Sequence, residues 1–84
     1  PAPTAPRIGL ATVLAQTGDH DRAVSLLSAV AKDDPENNRA WFLLGQSLMK
    51  LGRADEARAA LQRHQAIHEK IMKERMSGQA QGHP

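Results

Sequence analysis

Apolar side chains recur along this chain at helical rather than strand spacing. Ile8, Leu10, Ala11, Val13, Leu14 and Ala15 form a first run, and side chains three and four apart share one helix face. Gly18 ends that run, and Asp19 is placed to cap the next helix through its carboxylate. A second run, from Ala23 and Val24 through Leu26 and Leu27 to Val30 and Ala31, stops at Lys32-Asp33-Asp34-Pro35. Pro35 suits a first helical position with Asp34 as cap, which predicts a third helix over 35–50, through Trp41, Phe42, Leu44, Gly45, Leu48 and Met49. Gly52 ends it, as Gly18 ends the first. A fourth helix is predicted from near Ala54 through Ile67, Ile71, Met72 and Met76, about 23 residues or roughly 34 Å long. The chain thus reads as all-α. Pro1 to Pro6 form a proline-rich lead-in, 7–77 the helical domain, and 78–84 a flexible tail.

The first two runs repeat in the second pair. At an offset of 34 residues Leu10 matches Leu44, Ala11 matches Gly45, Leu14 matches Leu48 and Gly18 matches Gly52. Ala23 matches Ala57 and Leu27 matches Leu61 at the same offset. Small residues at Ala11, Gly45, Ala23 and Ala57 let helix backbones approach, and the leucines fill the space between them. Those residues, with Trp41, are the expected core. Trp41-x-x-Leu44-Gly45-x-x-Leu48, followed by Ala57 and Leu61 and preceded by Pro35, resembles the tetratricopeptide repeat. The first unit, about 4–37, carries Arg7 at the Trp position and Ala11 at the Gly position. The second, about 38–71, has His64 at the late alanine position and Glu69 where a closing proline would fall.

That resemblance implies two antiparallel helix hairpins of a right-handed superhelix, with an extended last helix in the place of a capping helix. It also implies a scaffold that binds proteins or peptides on the concave face of the first helix of each hairpin. By position the groove residues are then Ile8, Thr12, Arg39, Phe42, Gln46, Met49 and Lys50, with Ala5, Ala15 and Gln16 on the same register. The lysines and asparagines with which some relatives grip a C-terminal carboxylate are missing; Ile8, Thr12, Phe42 and Gln46 occupy those places. A second expected surface is the apolar stripe Ile67, Ile71 and Met72 of the last helix, which suits homo-oligomerisation or docking to the remainder of a parent chain. A third reading is an accessory domain of a larger enzyme or assembly factor. Two repeats make a short stack, so completion by another copy, a partner or a longer chain is expected.

Composition narrows the chemistry. The 84 residues contain no cysteine, which excludes disulfides, thiolate metal sites and thiol nucleophiles. Eleven basic side chains against nine acidic ones leave a charge of +2, too balanced for a nucleic-acid binder. Arg53, Arg58, Arg63, Lys70, Lys73 and Arg75 alternate with acids and read as a solvated helix surface. His64 and His68 with Glu69 lack a third placed ligand and the HExxH pattern, so no metal and no cofactor are expected. No hydroxyl has an evident base, and no enzyme activity is expected. No apolar run is long enough for a membrane span. The compartment stays open between cytoplasm and, after removal of a signal, periplasm.

Overall fold

A computed structural model describes residues 3–81, with side-chain surroundings for 3–77. Four helices follow one another: α1 Thr4–Gln16, α2 His20–Asp33, α3 Asn38–Lys50 and α4 Ala54–Gln81. α1 pairs with α2 and α3 with α4, and α2 packs against α3 to join the two hairpins. Pro1 and Ala2 of the lead-in, and residues 82–84 of the expected tail, lie outside the described residues.

Both hairpin turns are built alike. Gly18 and Gly52 adopt φ of +88° and +75°, in the left-handed region where a side chain would crowd the backbone. The amide of Gly18 donates to Ala15 O and that of Asp19 to Leu14 O, at 3.1 and 2.8 Å. Gly52 and Arg53 repeat the pattern to Met49 O and Leu48 O, at 3.0 and 2.9 Å. These are Schellman closures, which satisfy carbonyls at the helix end. Asp19 then caps α2, its Oδ1 accepting from the Arg22 amide at 3.3 Å.

Two helix starts differ from the sequence-based expectation. α1 begins at Thr4, so Pro6 lies in its first turn, where a missing amide hydrogen costs no intrahelical bond. α3 begins at Asn38, not Pro35, because Asn37 supplies the cap: its Oδ1 accepts from the Ala40 amide at 3.1 Å. Asp34 closes α2 instead, and Pro35 and Glu36 form the turn. The turn is pinned by Trp41, whose indole Nε1–H donates to Pro35 O at 2.8 Å.

The main core draws on all four helices: Ala11 from α1, Ala23, Val24 and Leu27 from α2, Leu44 and Leu48 from α3, and Ala57 and Ala60 from α4. Trp41, Leu14 and Leu51 pack against it, half-buried. A smaller cluster joins Ile8, Val30 and Ala40. Close approach of α3 and α4 depends on Gly45, where a Cβ would meet Leu61 Cγ and Cδ2 at 2.6 Å. Leu10, expected in the core, is instead 54% exposed. Its counterpart Leu44 has helices on both flanks, whereas the outer flank of α1 has none among the described residues.

α4 spans 28 residues and outruns its partner α3. Its 63–70 stretch is tied to the turn before α3. Glu36 pairs with Lys70 at 3.2 Å and with Arg63 at 3.7 Å, and His64 Nδ1 lies 3.4 Å from Asn38 O. Ile67, expected on an exposed stripe, is only 4% exposed. Ile71 is half-buried, and exposure begins at Met72 and Met76.

Candidate functional groove

An open groove of about 650 Å³ runs across α1 and α3. Side chains on a helix repeat on one face every three or four positions. In α1 that spacing puts Thr12, Ala15 and Gln16 along the groove, and in α3 it puts Phe42, Gln46, Met49 and Lys50 there. Leu43 and Ser47 form the floor between the two helices, while His20 from α2 and Leu61 from α4 reach in from behind.

Of the groove residues expected from sequence, Thr12, Phe42, Gln46, Met49 and Lys50 come together here. Ile8 does not. It is buried with Val30 and Ala40, because α1 meets α2 and α3 at that level of the stack. Arg39 stands beside a separate depression of about 400 Å³, with Thr4, Ala5, Ile8, Asp34 and Asn37. His20 and Leu61 are the contributors that the register of the first helices does not reveal.

The groove mixes apolar and polar character. Phe42 and Met49 are 38% and 57% exposed, large apolar side chains open to solvent. Phe42 is braced from behind by His64, the ring centroids 5.0 Å apart at 44°. His68 stacks on His64 in turn, at 6.2 Å. Thr12 spends its hydroxyl proton on Ile8 O at 2.8 Å, so towards the groove it can only accept. Gln16 and Gln46 are exposed and carry both a donor and an acceptor. Among the described residues Lys50 is the charged side chain of the lining, and no carboxylate lines it. His20 holds a buried Nδ1 that has no hydrogen-bond partner among the described residues.

Several charged side chains elsewhere pair with each other. Arg7 Nη1 bonds Asp33 Oδ2 at 2.9 Å, which ties the start of α1 to the end of α2. Arg53 grips Glu56 with two hydrogen bonds of 3.1 and 2.6 Å. The hydrogen bond and charge of Glu56 raise the Arg53 guanidinium above its usual range. Among the described residues no group of three histidine or acidic side chains is arranged to hold a metal ion. Nor is any described helix long and apolar enough to cross a membrane.

The family model described as tetratricopeptide repeat matches residues 8–70, well over half of the chain. No curated protein and no solved structure matches it.

Proposed function

Because the chain belongs to the tetratricopeptide repeat family, whose repeats are non-catalytic scaffolds that generally serve protein–protein interactions, we propose that the groove across α1 and α3 binds an extended peptide segment of a partner protein. The observation that carries this reading is the convergence of Phe42, Gln46, Met49 and Lys50 with Thr12 and Gln16 on one open groove free of carboxylates. Phe42 and Met49 receive an apolar side chain, and the methionine adapts its shape to it. Gln16 and Gln46 exchange hydrogen bonds with peptide carbonyls and amides, which extended backbone offers along its length. Lys50 favours an acidic or C-terminal group and disfavours a basic one. The absence of a dense lysine–asparagine cluster points to a peptide read mainly by its apolar residue.

The test begins with peptides selected from a random displayed library on the intact chain. Phe42→Ala and Gln46→Ala are then titrated with the selected peptides while circular dichroism monitors folding. Affinity is expected to fall at least about tenfold for Phe42→Ala, the equivalent of about 1.4 kcal/mol. It should fall less for Gln46→Ala. Unchanged affinity in both folded variants would remove the groove from the account.

A further inference from the structure

Side chains with metal-donor atoms follow one another along α4 at intervals of four residues: His64, His68, Met72 and Met76. Neighbours at that spacing share a helix face. None of them is buried in the core. His64 is half-buried, His68 is exposed, and Met72 and Met76 are 40% and 65% exposed.

His64 is oriented as a ligand would be. Its Nδ1 lies 3.4 Å from Asn38 O. A carbonyl oxygen can only accept, so the ring carries its proton on Nδ1 and its lone pair on Nε2. Metal-binding histidines are commonly fixed this way, one ring nitrogen donating to a carbonyl while the other holds the ion. Phe42 packs against the same ring at 5.0 Å between centroids. His68 stacks on it at 6.2 Å and 29°. An ion about 2.0–2.1 Å from each ring nitrogen spans imidazoles whose centres lie up to about 6.4 Å apart. A turn of the exposed His68 ring then suffices to close the chelate. Met72 stands one helical turn beyond, and long helical side chains lean toward the N-terminus, which brings its thioether back toward His68.

We propose that His64, His68 and Met72 form a copper site on α4, the two imidazoles chelating the ion and the Met72 thioether completing the coordination of Cu(I). The donor set selects the metal. Zinc takes four ligands from cysteine, histidine and carboxylate, but the chain has no cysteine and Glu69 is held by Gln65 Nε2 at 3.1 Å. Calcium and magnesium seek oxygen, which the row does not offer. Imidazole suits copper, and a thioether is a soft ligand that favours its reduced ion. Met76 lies about 18 Å from His64 along the helix axis, too far to share the same ion.

The test titrates the intact chain with Cu(I) under anaerobic conditions against a colorimetric chelator, and separately with Zn(II). One Cu(I) ion per chain is expected, bound more tightly than Zn(II). Loss of even an outer partner of a metal ligand costs about 10–100-fold in affinity, so His68→Gln should weaken Cu(I) at least about 100-fold. Met72→Leu should weaken Cu(I) at least about tenfold and change Zn(II) by no more than about twofold. Both residues are exposed, so the circular dichroism of each variant should match that of the parent. In the parent, NMR signals of the His64 and His68 rings and the Met72 methyl should shift together on addition of Cu(I). Binding that survives His68→Gln places the ion elsewhere and overturns the proposal. So do Cu(I) binding indifferent to Met72→Leu, a preference for Zn(II), or unmoved His64, His68 and Met72 signals.

Discussion

The two hairpins share a period, a turn and a small-residue helix contact, and they differ in how each position is satisfied. Trp41 pins its hairpin to the preceding turn through Pro35 O, whereas Arg7, at the same repeat position, donates to Pro3 O at 3.2 Å and reaches forward to the Asp33 carboxylate at the end of α2. Asp19 and Arg22 pair across the first turn of α2; Arg53 and Glu56 pair across that of α4 with the charges exchanged. Leu27 is 1% exposed between α1 and α3, while Leu61, its equivalent, is half-buried at the back of the groove. The lesson is that a repeat position specifies a direction. Whether a side chain there is core depends on what stands in that direction.

The comparison can be broken by matched substitutions. Leu27→Ala should cost about 2–5 kcal/mol, the range for a leucine removed from a closed core. Leu61→Ala should cost roughly half of that or less, since part of its surface already meets water. Urea denaturation followed by circular dichroism measures both, and equal losses would mean that burial does not separate the hairpins. Gly45→Val should cost about 1–3 kcal/mol by overpacking against Leu61. The expected signature is a looser α3–α4 hairpin with α1–α2 less affected, read by hydrogen exchange. Trp41→Phe removes one donor from Pro35 O and should cost about 1 kcal/mol. Arg7→Leu removes a partly exposed ion pair and should cost less, within about 1 kcal/mol and diminishing with added salt. A salt-independent loss for Arg7→Leu would show that its stem packing matters more than its charge.

Much of this was legible in the sequence. The glycines at 18 and 52 gave both turns, and the paired small residues gave the helix contacts. Other features were not, each for a physical reason. Asp34 and Asn37 are both capping residues three apart, and only the turn that Trp41 fixes decides which one starts α3. Ile67 has the spacing of an exposed stripe, but it is buried beside the stretch of α4 whose Arg63 and Lys70 pair with Glu36 of the turn before α3. On the groove, helical register located Thr12, Phe42, Gln46, Met49 and Lys50. It could not show His20 and Leu61, which reach in from neighbouring helices, or that Ile8 would turn into the stack.

The matched pair Leu10 and Leu44 tests the account most directly. Both are leucines at one repeat position, separated only by what flanks their helices. Thermal unfolding of the two lysine variants is the measurement. Leu10→Lys should retain the helical signal and melt within about 2 °C of the parent, as an exposed substitution does. Leu44→Lys should leave a chain without a cooperative transition, because a lysine charge cannot be buried unpaired between α2 and α4. Similar melting temperatures for the two variants would contradict the claim that the stack, and not the repeat position, decides what is core.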